Sequence, residues 1–185
     1  AEGKRGDRVE ISHGEILDKD GNFYNENYST AKAKLNYILS GENDEYFAKY
    51  TFYGFRYIRI DEYPGEVQLE NFKAYVMHTD MRRTGYFESS HKLLNRLFLN
   101  AVWGQRGNHV DVPTDCPQRN ERLGWTGDTQ VFCKTGAQNY NTALFFRKWL
   151  MDVIRDQEEN GACQIIVPKS TFLKCLTHVT NITTI

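Results

Sequence analysis

The 185-residue chain carries 23 Lys and Arg against 24 Asp and Glu, with hydrophobic residues at 40% and charged residues at 25%. That balance fits a globular protein of one domain or two small ones. A formal net charge of −1 gives no electrostatic reason for a nucleic acid or an anionic membrane as partner, and no apolar run approaches the roughly 18 residues of a membrane span.

The first ten residues, "AEGKRGDRVE", contain no initiator methionine and no apolar signal core. A processed or cut-out piece is therefore expected, with a cytoplasmic location slightly favoured. The chain from Arg8 to near Ser89 reads as β structure. "RVEISHGEIL" alternates before a "DKDGN" turn, "YTFYGFRYIRIDEYPGE" is rich in aromatic and β-branched residues until Tyr63-Pro64-Gly65, and "VQLENFKAYVMHT" supplies one or two more strands. Alternation with turns between fits an antiparallel sandwich, with too few strands here to close two sheets. Aromatic residues at 14% agree with a β-rich core or a surface that stacks on ligands.

The texture changes near Ser89. Ser89 or Ser90 can cap "HKLLNRLFLNAVWGQ", whose Leu94, Leu97, Phe98, Ala101 and Val102 fall on one helical face. "TQVFCKTGAQ" and "TALFFRKWLMDVIRDQ" give two more helices, the last ending at Asn160-Gly161. A long loop is expected from Gly107 to Asp128. After Pro168, "STFLKCLTHVTNITTI" loses the helical period, so the tail reads as atypical. The resulting division is a β domain over 1–88, a helical domain over 89–168 and a tail over 169–185. Cys116, Cys133, Cys163 and Cys175 form no CxxC pair, so reduced thiols are expected and a zinc site is not. Asn27-Tyr28-Ser29 and Asn181-Ile182-Thr183 match a glycosylation sequon that chance often produces.

The loop carries the chemistry. "DCPQRNERLGWTGD" offers Asp115, Glu121 and Asp128 as acids, with Pro113 and Pro117 stiffening the backbone and Gly124 and Gly127 allowing close bends beside Trp125. Carboxylates gathered in one pocket can hold a proton at neutral pH, and a tryptophan face covers sugar C–H surface while acids take the hydroxyls. The same residues also fit a solvated loop in which Arg119 and Arg122 pair with the acids and Trp125 packs in the core. His109 stands alone and reads as structural. Cys116, beside an acid, is a poor nucleophile candidate.

"DVPTDCPQRNERLGWTGDTQVF" closely resembles the signature of bacterial-type α-L-rhamnosidases of glycoside hydrolase family 78. "YTFYGFRYIRIDEYPGE" and "VEISHGEILDKDGNFYNENY" are similar to parts of the β-sandwich preceding that family's catalytic domain, and the resemblance covers roughly Gly6 to Pro168. It implies an α+β chain: a partial antiparallel β-sandwich followed by the first helices of an incomplete (α/α)6 barrel. It implies hydrolysis of terminal α-L-rhamnosyl groups with inversion and without a cofactor. By position, Glu121 matches the general acid, Asp115 and Asp128 match acids that hold rhamnose hydroxyls, and Trp125 matches an aromatic of the sugar pocket. Arg119 falls within the motif and can orient the carboxylates. One departure is Asn120, where the family usually has an acid. The other is the water-activating base, a downstream glutamate in the family that Asp152, Asp156, Glu158 and Glu159 do not match. The expected partner is a rhamnose-containing glycoside, and this chain alone is expected to be inactive. The alternative is a carbohydrate-binding or pseudoenzyme piece that holds sugar without cleaving it.

Overall fold

The computed structural model describes residues 3–169, so the expected atypical tail, with Cys175 and the Asn181 sequon, lies almost wholly outside the described residues. The architecture is α+β, antiparallel sheets followed by helices. The chain divides into two compact units: Ala1–His78 with Cys116–Arg122, and Thr79–Asp115 with Leu123–Ile185.

In the first unit, β1 (Arg8–Gly14) is the central strand. A hairpin of β2 (Ile16–Leu17) and β3 (Phe23–Tyr24) follows it, then β4 (Lys34–Ile38) and β5 (Tyr57–Glu62). The three-stranded antiparallel sheet has the order β4-β1-β5. Register sets Val9 opposite Tyr37 and Ile11 opposite both Leu35 and Ile60, so cross-strand apolar pairs share one face. The "DKDGN" turn forms as expected: Asp18 Oδ1 accepts the N–H groups of Asp20 and Asn22, and Gly21 takes a φ of 84°. The strand β4 had no place in the sequence reading.

Two β expectations in this unit are corrected. "VQLENFKAYVMHT" forms no strand. Leu69–Asn71 is a 3-10 turn closed by its own backbone bonds, and Leu69, Tyr75, Val76 and Met77 are exposed. β propensity without a ladder partner leaves the segment irregular. In "YTFYGFRYIRIDEYPGE" only Tyr57–Glu62 is a strand. Upstream of it, the Gly54 N–H donates to the Pro117 carbonyl at 3.2 Å. A Cβ on Gly54 would lie 2.9 Å from Pro117 and Gln118 backbone atoms. That stretch holds the signature segment instead of extending the sheet.

The second unit contains α1 (Lys92–Asn108), a short hairpin of β6 (His109–Val110) and β7 (Val112–Pro113), α2 (Thr126–Asn139) and α3 (Ala143–Arg155). Its core joins Met81, Val102, Tyr140 and Phe145, with Phe98 and Phe146 packed against them. All three expected helices appear, with corrected ends. His91, not a serine, occupies the N-cap of α1; Ser89 bonds Asn95 Oδ1 at 2.9 Å instead. The face expected to be buried on α1 is buried only at its C-terminal end. Leu94 and Leu97 are 47% and 64% exposed, because the core cluster reaches α1 only from Phe98 onward. Helix α3 stops at Arg155, and Gly161 serves a later turn from Glu158. The expected loop from Gly107 to Asp128 also shortens. Its start completes α1 and forms the hairpin, which turns at Asp111 (φ 64°), and its end is the first turn of α2.

Candidate functional site

The chain leaves the helical unit at Asp115, packs residues 116–122 within the sheet unit, and re-enters the helical unit at Leu123. Asp115 Oδ1 accepts the Leu123 N–H at 3.0 Å, which fastens the departure point to the return point. Two residues later Trp125 takes the N-cap position of α2. Its N–H donates to the Leu123 carbonyl at 3.0 Å, and its backbone bridges to Ile166. Asp128 sits in the first turn of α2, where the helix dipole favours a negative charge.

Asp115 and Asp128 line one cavity of ≈ 590 Å³ in the helical unit. Gln105 and His109 line it too, and Phe132 and Phe146 give it an apolar wall. Trp125 is half-buried and is not part of this lining. Such a cavity offers hydroxyl acceptors beside an apolar surface, the combination a neutral sugar needs.

Glu121 and Arg119 lie in the sheet unit and hold each other. Arg119 places Nε 2.8 Å and Nη2 2.6 Å from the same carboxylate oxygen, Glu121 Oε2. Cys116 Sγ donates to that oxygen at 3.2 Å. Hydrogen bonds to Cys116 and then to Glu121 raise the pKa of Arg119. Asn120 points elsewhere: its Nδ2 donates to Thr30 Oγ1 at 2.6 Å. Asn120 therefore takes no part in the Arg119–Glu121 pair. Arg122 anchors the segment from its other end, donating from Nη1 to the Phe52 carbonyl at 2.8 Å with its guanidinium 4.8 Å from the Phe52 ring centroid. The pairing of both arginines with the acids, open on sequence grounds, resolves into one pair with Glu121 and one anchor on Phe52.

A buried polar network that sequence reasoning missed runs from the cavity wall inward. Gln105 (2% exposed), His109 (3%) and Asn139 (5%) are all buried. Asn139 Nδ2 donates to Gln105 Oε1 at 3.1 Å, and Gln105 Nε2 donates to the Gly136 carbonyl at 3.1 Å and reaches His109 Nδ1 at 3.4 Å. The His109 ring stacks on Phe145 at 4.5 Å, and burial lowers its pKa to about 4. The available signal was the i and i+4 spacing of Gln105, in the last turn of α1, and His109, the residue that caps its C-terminus.

The later acids are engaged locally. Asp152 pairs with Lys148 at 3.1 Å and Arg155 at 3.5 Å, Asp156 Oδ2 accepts the Lys169 N–H at 2.6 Å, and Glu158 pairs with Lys169 at 3.0 Å. None of these three lines the Asp115/Asp128 cavity.

Comparison with known proteins gives these features a family. Residues 82–183 match the bacterial alpha-L-rhamnosidase 6 hairpin glycosidase domain, and residues 1–78 match the bacterial alpha-L-rhamnosidase concanavalin-like domain. The chain belongs to the bacterial alpha-L-rhamnosidase family. It is 42% identical over 167 residues to an alpha-L-rhamnosidase of Streptomyces avermitilis, covering 90% of this chain and 16% of that protein. A Formosa agariphila alpha-L-rhamnosidase is also 42% identical, over 168 residues, covering 89% of this chain and 18% of that protein. Among solved structures, the Streptomyces avermitilis alpha-L-rhamnosidase complexed with L-rhamnose superimposes with a TM-score of 0.86 at 41% identity, covering 94% of this chain and 17% of that one. The chain thus spans less than a fifth of the length of these rhamnosidases.

Proposed function

We propose that this chain supplies the acid-bearing part of an inverting α-L-rhamnosidase, with α1–α3 as the first helices of an (α/α)6 barrel. The observation that carries this reading is the convergence of Asp115 and Asp128 on one cavity within a chain of the rhamnosidase family. In this reading the two carboxylates accept hydrogen bonds from rhamnose hydroxyls. The apolar wall, with Trp125 close in sequence, faces the sugar's C–H surface and its methyl group.

Glu121 is the general acid. It gives its proton to the leaving glycosidic oxygen as the C–O bond breaks, and water attacks from the opposite face of the ring. Arg119 is placed to hold the carboxylate that the step leaves behind. For Glu121 to start the cycle with its proton, substrate entry has to loosen that pair. The water-activating carboxylate is assigned to no residue of this chain. It belongs to sequence that the longer relatives carry and these 185 residues do not.

The test is Glu121→Gln in an active rhamnosidase carrying this segment. An amide donates no proton, so turnover should fall by about 10²–10⁴ on rhamnosides with poor leaving groups and much less on activated aryl rhamnosides. Equal losses on both would make Glu121 a binding residue and remove the acid from the scheme.

A further inference from the structure

The geometry points to His109 as a fixed hydrogen-bond donor to the ligand of the Asp115/Asp128 cavity, held in one tautomer by the Gln105–Asn139 relay. The inference rests on the sugar-site reading of that cavity and adds to it a residue the family signature does not supply.

The argument starts from the Gly136 carbonyl, which can only accept. The Gln105 amide atom 3.1 Å from it must therefore be the NH₂ nitrogen. Asn139 agrees, since its Nδ2 donates to the other end of the same amide, Oε1. Gln105 Nε2 has two hydrogens. One meets Gly136, and the second faces His109 Nδ1 at 3.4 Å. Nδ1 must then accept, so the ring proton of neutral His109 sits on Nε2.

That Nε2–H has no acceptor within the protein among the described residues, and it is not one of the sealed, unsatisfied polar atoms. Yet His109 is 3% exposed, and the surface it retains lies in the cavity wall. A buried donor without a partner is costly unless a ligand or water accepts from it. Stacking on Phe145 at 4.5 Å, with the edges of Phe132 and Phe146 at 6.1 and 5.8 Å, prevents the ring from turning that proton away.

The cavity therefore presents two kinds of contact to one ligand. Asp115 and Asp128 accept from hydroxyl hydrogens, and His109 donates to a hydroxyl or ring oxygen. None of the lining residues is Lys or Arg. Gln105, itself part of the cavity wall, and Asn139 behind it act as positioning residues through the histidine.

The test uses the 185-residue chain and L-rhamnose. Long-range ¹H–¹⁵N correlation on the free protein should show His109 bare at Nδ1 and protonated at Nε2, and added rhamnose should shift the Nε2 proton. His109→Phe keeps the stack and removes the donor, so it should weaken rhamnose binding about tenfold, the size of one buried hydrogen bond. Gln105→Leu should scramble the tautomer and weaken binding with His109 still present. Three results would overturn the proposal. Protonation at Nδ1 in the free chain removes the donor. Wild-type affinity in a folded His109→Phe variant, with Asp115→Asn still impaired, leaves the sugar site standing without His109. Absence of rhamnose binding by the wild-type chain removes the sugar-site reading along with it.

Discussion

Gly124→Ala is the substitution that most directly tests how the signature segment is held. A Cβ built on Gly124 would lie 2.1 Å from the Val167 carbonyl oxygen and 3.2 Å from Trp149 Nε1. The obstruction is backbone, so no rotamer change relieves it. Residues 165–167 run back along Gly124–Thr126: Val167 N–H donates to the Gly124 carbonyl at 2.9 Å, and Thr126 N–H donates to the Ile165 carbonyl at 2.9 Å. Trp149 closes the arrangement, donating its indole N–H to the Val167 carbonyl at 3.1 Å from a fully packed position. Moving Val167 aside costs about 1–3 kcal/mol in overpacking and about 1–3 kcal/mol for the buried indole donor left unpaired. At roughly 2–4 °C per kcal/mol for a chain of this size, the melting temperature should fall by about 10 °C, read by circular dichroism with scanning calorimetry as a check. Gly104→Ala in α1 is the control, because a Cβ there meets no heavy atom within 4 Å. It should be neutral or stabilising by up to about 1 kcal/mol. A Gly124→Ala protein melting within about 2 °C of wild type would refute the close-approach argument.

Two further outcomes are expected. Burial lowers the pKa of His109 to about 4 against an ordinary value of 6.5, so the unfolded chain takes up the proton first. The stability this residue contributes is fully present above pH ~6.5 and lost as pH falls toward ~4, at most about 3 kcal/mol. His109→Phe should flatten the fall in melting temperature over that window, and a wild-type melting temperature constant across it would contradict the assignment. Arg122→Ala removes the bond to the Phe52 carbonyl and the stacking over its ring, and should lower the urea midpoint by the equivalent of about 1–2 kcal/mol. An unchanged midpoint would show that the segment is held without that anchor.

What could be read from the sequence follows from how local each cause is. The hairpin turn at Asp18–Asn22 was legible because its hydrogen bonds stay within five residues. Helix α1 was legible because its apolar period lies within one segment, and α2 and α3 were found as stretches between breaks. The run from Val67 to Met77 has strand composition, but a strand exists only through a partner the sequence does not name, and the run remains irregular. Asp128 was read as a loop residue because Gly124 and Gly127 look like turn formers. Gly127 is helical, and Gly124 serves the approach of Val167. At the candidate site the family signature singled out Asp115 and Asp128, which share one cavity, together with Glu121, Arg119 and Trp125, which do not line it. The Gln105–His109 pair was visible only as a spacing, and it acquires meaning when α2 brings Gly136 and Asn139, 31 and 34 residues away, to the same amide.

The density of the signature has a physical reading. Residues 116–122 belong to the sheet unit while their flanks belong to the helical unit, so fourteen residues carry two changes of unit as well as the acids. Four fastenings hold this path: Asp115 Oδ1 on the Leu123 N–H, Gly54 N–H on the Pro117 carbonyl, Arg122 on Phe52, and Gly124 against Val167. Asp115 therefore has two tasks, since the carboxylate that lines the cavity also secures the return of the chain. Asn at this position keeps the carbonyl acceptor for Leu123 and removes only the charge, whereas Ala removes both. A loss of sugar binding in Asp115→Asn thus reports on the cavity, and the same loss in Asp115→Ala does not separate binding from the path of the loop.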